Sequence, residues 1–200
     1  YTKGGKVPVT YSVVDDTDNK TIVNATDFDT AILGTTFKTD DRLNKIKDIQ
    51  SEWTSKGYVV TSVENGDLPD PTDQNENGYN IVFRVNHTTS EKTIPGNSDE
   101  AVNKQENRKI TQTINYTGLK DKTKLPPNNV QTWEFESKVT QTIDNVTGKV
   151  IAETDAEWNL KGKTIDNIDS IAVDTPLFNG YTPDIKQVKS KNINSNTENS

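Results

Sequence analysis

The stretch Asp40-Asp-Arg-Leu-Asn-Lys-Ile-Lys-Asp-Ile-Gln-Ser-Glu-Trp-Thr-Ser-Lys-Gly-Tyr58 differs in period from the sequence on either side of it. Leu43, Ile46, Ile49 or Gln50, and Trp53 recur at steps of three and four, with Lys, Asp and Glu between them, which is the pattern of an amphipathic helix. Thr39 or Asp40 can cap its start and Gly57 can end it. Upstream, Val7, Val9, Tyr11 and Val13 alternate with polar neighbours at the period of a half-buried strand. Asp15-Asp-Thr-Asp-Asn19 supplies turn chemistry, and a second strand is expected around Thr21–Ala25. Downstream, Tyr58–Glu64 and Tyr79–Asn86 are rich in Val, Ile, Phe and Tyr and predict two more strands. Strand, strand, helix, strand, strand is the order of a helix on one face of a mixed four-stranded sheet, the β-grasp layout.

The second half partly repeats these signals. Val7-Pro-Val-Thr-Tyr11 and Gly57-Tyr58 have counterparts in Ile110-Thr-Gln-Thr-Ile-Asn-Tyr116 and Gly180-Tyr181. A module written twice with no catalytic residues points to a surface array rather than an enzyme. Val130–Ile143 and Val150–Trp158 predict two strands around the turn Asp144-Asn-Val-Thr-Gly148. Ile165, Ile168 and Ile171, spaced by three, predict a short helical segment over Thr164–Ala172, and Gly180–Lys189 a closing strand. The organisation expected is an N-terminal β-grasp subdomain over 1–90, a short connector over 91–107, a C-terminal β-grasp-like subdomain over 108–190, and a polar tail or linker over 191–200.

Composition narrows the function classes. Hydrophobic residues make up 30% of the 200 and mean hydropathy is −0.83, so small cores with large wet surfaces are expected. There is no cysteine and no methionine, which excludes disulfides, thiolate chemistry and Cys-based zinc sites. The net charge of −7 argues against phosphate neutralisation and hence against nucleic acid as a partner. No run approaches the roughly 20 apolar residues of a membrane span. No signal peptide is visible, and the opening at Tyr1 reads as that of an excised fragment.

Candidate sites are few. Asp73-Gln-Asn75-Glu-Asn77-Gly78 fits the first half of a calcium loop, with Asp73, Asn75 and Asn77 as oxygen ligands and Asp67 or Asp70 available to complete them. Arg84 stands where an EF-hand requires Glu, so that motif is excluded, and an Asx-rich turn is the competing reading. His87, the sole histidine, is expected on the surface at a strand end. Glu134 and Glu136 share a strand face, where solvated acids are commoner than a glycosidase pair. Trp53, Trp133 and Trp158 each occupy an apolar position and are expected in cores.

The second-half motifs Ile110–Tyr116, Val130-Gln-Thr-Trp-Glu-Phe135, Asp144–Gly148, Trp158 and Gly180-Tyr-Thr-Pro-Asp184 resemble those of lactobacillar mucus-binding (Mub) repeats, related to the MucBP family. In the first half Val9-Thr-Tyr11, its Asp-rich turn and Gly57-Tyr58 match more loosely. There Asp18-Asn-Lys20 replaces the usual glycine. The resemblance implies an α+β, strand-rich fold of two tandem ubiquitin-like β-grasp subdomains in an elongated rod. It implies a monomeric adhesin module, flanked by further repeats, on a bacterial cell surface and anchored to the wall through regions outside this fragment. Expected partners are host mucin glycoproteins and, as for some members, immunoglobulins. A purely structural spacer that presents a distal binding domain is the alternative.

Overall fold

The computed structural model describes residues 4–72 and 75–200. The chain divides into two compact units: unit 1 comprises residues up to Glu91 together with Thr142–Ile151, and unit 2 comprises Lys92–Gln141 and Ala152–Ser200. Among the described residues no helix is long and apolar enough to cross a membrane.

Unit 1 contains β1 (Lys6–Asp15), β2 (Lys20–Ile32), α1 (Asp40–Ser55), β3 (Tyr58–Glu64) and β4 (Tyr79–His87). The sheet order is β2-β1-β4-β3. β1 runs parallel to β4 and antiparallel to β2, and β3 is antiparallel to β4. The alternation read from the sequence becomes burial: Val7, Val9 and Val13 of β1 and Ile81, Phe83 and Val85 of β4 are almost solvent-free. They pack in one cluster with Ile46, Ile49 and Trp53 of α1 and with Phe28, Phe37 and Leu68. Thr39 caps α1, its hydroxyl accepting from the Arg42 N–H (3.3 Å). Asp40 and Asp41 in the first turn complement the helix dipole.

β2 extends seven residues beyond the expected Ala25, because β1 offers it a continuous partner from Asp15 back to Lys6. Gly57 follows the helix at φ +94°, the left-handed conformation that commonly ends a helix. The backbone carbonyl of Asn145 lies so close to it that an added Cβ would sit 2.6 Å from the oxygen.

Unit 2 is strand-rich and, among its described residues, has no α-helix. Its centre is β7 (Asn129–Asp144), whose last three residues belong to unit 1. β6 (Arg108–Ile114) and β9 (Glu157–Leu160) pair antiparallel with β7, and β5 (Thr89–Pro95) and β8 (Val150–Glu153) also pair with it. Two small ladders complete the unit: β10 (Asn167–Asp169) with β13 (Asn192–Asn194), and β11 (Val173–Asp174) with β12 (Gln187–Val188).

Several expectations are corrected here. The segment Thr164–Ala172 is not helical. Of its three isoleucines only Ile168 packs on a core, while Ile165 and Ile171 are exposed, so the three-residue spacing marks no shared buried stripe. Residues 191–200 are not a free tail, since Ile193 is buried and the Ser200 N–H donates to the Thr111 carbonyl (3.1 Å). The connector placed at 91–107 opens inside β5, where Ile94 is buried. Val150–Trp158 is split into β8 and β9, and only Gln187 and Val188 of the expected closing strand are extended. The repeated signals also diverge: Val7–Tyr11 and Ile110–Ile114 both form strands, but Tyr58 is buried in β3 whereas Tyr181 lies exposed in a loop.

Gly57 and Gly148 both have positive φ, but only Gly57 faces a close neighbour; nothing lies within 4 Å of a Cβ built on Gly148. Gly148→Ala should therefore cost about 1–2 kcal/mol of left-handed strain, and Gly57→Ala distinctly more. Chemical denaturation of the two variants checks the difference, and equal losses would refute the close approach.

Candidate functional site

Two places concentrate unusual chemistry, one in each unit. The first is built at the ends of β1 and β4. Asp15 closes β1, and its Oδ1 accepts the Thr17 and Asp18 N–H groups (3.0 and 3.3 Å), so that the carboxylate forms the turn into β2. β4 lies parallel beside β1, with Val85 in register with Asp15, so His87 reaches past that pair towards the turn. The His87 backbone N–H donates to Thr17 Oγ1 (2.9 Å). The segment 142–151 supplies a second turn of the same design, in which Asp144 Oδ1 accepts the Val146 and Thr147 N–H groups (2.8 and 3.1 Å).

The imidazole joins the two turns. His87 Nδ1 lies 2.6 Å from Asp144 Oδ2, and Nε2 lies 2.9 Å from Asp15 Oδ2 and 3.6 Å from Asp18 Oδ2. The side chain is 5% exposed and that of Asp15 is 0%. Tyr58 covers the ring edge-on at 5.3 Å. Both ring nitrogens can donate only in the protonated form, and both face carboxylate oxygens. The hydrogen bond with Asp144 is the largest cause holding the imidazole above its ordinary value, opposed by burial and reinforced by Asp15. Reciprocally, His87 holds the Asp144 carboxyl below its ordinary value. Around this centre Asn145 donates to the Thr88 carbonyl (2.9 Å) and Thr88 Oγ1 donates to the Gly57 carbonyl (2.7 Å).

His87 is thus not a surface residue. The signal was present in the alternation itself: His87 continues the parity of Ile81, Phe83 and Val85, so it belongs to the buried face. With Asp15 and Asp18 it forms, among the described residues, a group of potential metal ligands within 4.8 Å of one another. The bond from Nε2 to Asp15 already occupies the nitrogen, and the arrangement is that of a charge clamp.

The proposed calcium loop has a different fate. Asp73 lies outside the described residues. Asn75 Oδ1 accepts the Thr72 N–H (2.5 Å) and Asn77 is exposed. Asp70 Oδ1 accepts the Phe37 N–H (2.8 Å). Asn75 and Asp70 thus each accept a backbone N–H of a turn or loop. Glu134 and Glu136 hold the loop after β9, accepting from the Lys161 ammonium (3.4 Å) and the Gly162 N–H (3.0 Å). Trp53 is in the core of unit 1, while Trp133 and Trp158 are half-buried against Ile110, Phe135 and Ile193. The Arg108 guanidinium lies 4.0 Å over the Trp158 ring.

The second place is a cleft of about 370 Å³ in unit 2, between the segment from Ile114 to Pro126 and the loop from Thr175 to Val188. The β11–β12 ladder holds the base of that loop, and the Thr175 N–H donates to the Lys186 carbonyl (2.9 Å). At its tip Gly180 adopts φ +81° and the Tyr181 N–H donates to the Phe178 carbonyl (3.0 Å), a turn that requires positive φ at its third residue. Pro126, Pro176 and Pro183 fix φ along the walls. Tyr116, Phe178 and Tyr181 line the cleft together with Asn115, Thr182 and Asp184. Its size lies within the range of small-ligand sites. Of these residues the sequence reading singled out Tyr116 and the Gly180–Asp184 run, as family signals and not as a site.

Residues 101–200 match the family model of the Muc B2-like domain, half of the chain, and the chain belongs to that family. Among solved structures it is similar to that of Mub-RV, at 22% identity over 96% of this chain and 94% of that one, with a TM-score of 0.43. It is also similar to a type 2 repeat of the mucus-binding protein MUB from Lactobacillus reuteri, at 19% identity over the same shares, with a TM-score of 0.38. A search of the curated proteins found no match.

The clamp makes unit 1 sensitive to pH on both sides. The raised His87 value contributes stability that is complete below the ordinary imidazole value of 6.5 and is lost as pH rises through the folded value. The lowered Asp144 value contributes stability present above 3.8 and lost as pH falls through its folded value. Unit 1 should therefore gain most from the clamp between about pH 4 and 6.5. The single imidazole resonance, followed by NMR, should titrate above 6.5, and His87→Ala should cost unit 1 about 3 kcal/mol, the scale of breaking a buried ion pair.

Proposed function

We propose that this Muc B2-like chain is a non-enzymatic repeat of a bacterial cell-surface adhesin that binds mucin glycans through the cleft of unit 2. The observation that carries the reading is the place of that cleft: it lies wholly inside the half that matches the family, between loops stiffened by proline and hydrogen bonds. An open cleft with aromatic and polar lining suits a sugar bound weakly and reversibly. Weak sites gain by multiplication, since tethered copies raise the effective concentration of the next binding event. In this reading the helix-backed sheet of unit 1 is a β-grasp module, and the chain is one monomeric element of a series anchored to the cell wall elsewhere.

Protein ligands are a second reading, favoured by the sheet of unit 1. β2 and β3 are its outer strands, and an outer strand offers backbone groups to an extended segment of a partner such as an immunoglobulin. Deglycosylating the partner separates the two, because strand pairing survives the treatment and sugar recognition does not.

On immobilised mucin the single chain should bind weakly, and a tandem array of three copies roughly a hundredfold more tightly. Surface plasmon resonance of the two forms checks this. Equal affinity would contradict the array reading, and no binding by either would favour a spacer.

A further inference from the structure

The chain contains three Asn-Gly pairs, Asn65-Gly66, Asn77-Gly78 and Asn179-Gly180. In such a pair the glycine nitrogen can attack the preceding side-chain amide with little hindrance, because no Cβ stands beside it. All three asparagines are exposed, so access of water does not tell them apart. The state of the glycine does. The Gly66 N–H donates to the Val63 carbonyl (3.1 Å), and the Asn65 amide donates to the Asn80 carbonyl (2.8 Å), so both reacting groups are held. The Gly78 N–H donates to the Asn75 carbonyl (2.7 Å). Gly78 also abuts β1, since a Cβ built on it would sit 1.6 Å from the Pro8 carbonyl oxygen. The third pair differs on each count. Among the described residues neither the Gly180 N–H nor the Asn179 side chain makes a hydrogen bond, and nothing lies within 4 Å of a Cβ built on Gly180. Turning the peptide between them costs at most the one turn bond from the Tyr181 N–H to the Phe178 carbonyl (3.0 Å).

We infer that Asn179 is a site of spontaneous covalent modification, at which the Gly180 nitrogen closes on the side-chain amide and converts the asparagine to aspartate and isoaspartate. The Gly180 nitrogen gives up its proton and bonds to Asn179 Cγ. The Cγ–Nδ2 bond breaks, and Nδ2 leaves with that proton as ammonia, so a cyclic imide remains. Water then opens the imide. Cleavage at Cγ restores the ordinary main chain with a side-chain carboxylate, and cleavage at the main-chain carbonyl reroutes the chain through Cβ. Either product adds a negative charge, and the second also adds a methylene to the backbone. Both changes fall between Phe178 and Tyr181, which line the unit 2 cleft, so the rim alters as the chain ages. The chemistry does not depend on what the cleft binds.

The test incubates the full chain at mildly alkaline pH and body temperature, and follows each Asn-Gly peptide by mass spectrometry with fragmentation that separates aspartate from isoaspartate. In the folded chain Asn179 should convert at least tenfold faster than Asn65 or Asn77, since only the latter two must break held structure first. In denaturant the three pairs should react at comparable rates. Asn179→Gln, whose longer side chain disfavours ring closure, should abolish conversion at this position with an unchanged unfolding midpoint. In the unsubstituted chain conversion should shift the Phe178 and Tyr181 resonances. Conversion of Asn65 or Asn77 as fast as Asn179 in the folded chain overturns the inference. So does a folded chain in which Asn179 persists while the denatured chain converts. An equal preference for Asn179 in denaturant overturns it too, because sequence rather than fold would then set the rate.

Discussion

A buried positive charge between carboxylates organises unit 1. Asp15 has no solvent contact, and a carboxylate there is tolerable only with hydrogen bonds and a nearby cation. His87 provides the cation, and two N–H groups of the turn provide further bonds to the carboxylate. Because the other nitrogen of the imidazole takes Asp144, the same ring that pairs with Asp15 also fixes the segment 142–151. Val146 from that segment packs on the main cluster of unit 1, so electrostatic and apolar closure occur together. The two Asx turns that present these carboxylates are local structures, formed by Asp15 and Asp144 with their own following residues, and each brings an oxygen to the ring already oriented.

The two units hold together by different balances. Unit 1 has a continuous apolar interior fed by two central strands and a helix. Unit 2 has a small cluster around Ile110, Phe135 and Ile193 and buries Gln112, Ser137, Gln141, Ser170 and Ser195. Gln141 shows how such groups are accommodated: its amide donates to the Glu100 carbonyl and to Glu153 Oε2 (2.9 Å each). Glu153 in turn accepts the Val102 and Asn103 N–H groups, and its carboxyl lies below its ordinary value, the Gln141 bond being the largest cause. At Gln141 specific polar bonds replace apolar area, whereas the buried Gln112 Oε1 and Ser137 Oγ make no hydrogen bond among the described residues.

Unit 1 was largely legible because period decides it. The helix from Asp40 and the strands expected at Tyr58–Glu64 and Tyr79–Asn86 follow from spacing alone, the last running one residue further to His87, since each buries one face against a common core. Unit 2 was legible where β7 runs long and alternates, and obscure where strands shrink to two or three residues. Such ladders arise from pairing between distant segments, as Ile168 does with Ile193, and leave little periodic trace. The clamp was missed for a different reason. Its three residues are far apart in sequence, and a histidine beside polar neighbours looks solvated until its parity with Ile81, Phe83 and Val85 is taken seriously. The cleft was half-seen, its residues noticed as family marks before their convergence gave them a purpose.

Unit 1 is discontinuous, and this bears on how the chain comes into being. Residues up to Glu91 emerge first from a ribosome or an export channel, yet the segment that completes the unit, Thr142–Ile151, follows only after some fifty intervening residues. Until then the nascent unit lacks the carboxylate of Asp144 and the side chain of Val146. Its maturation is therefore tied to the elongation of its neighbour, so that a chain arrested midway leaves neither part finished.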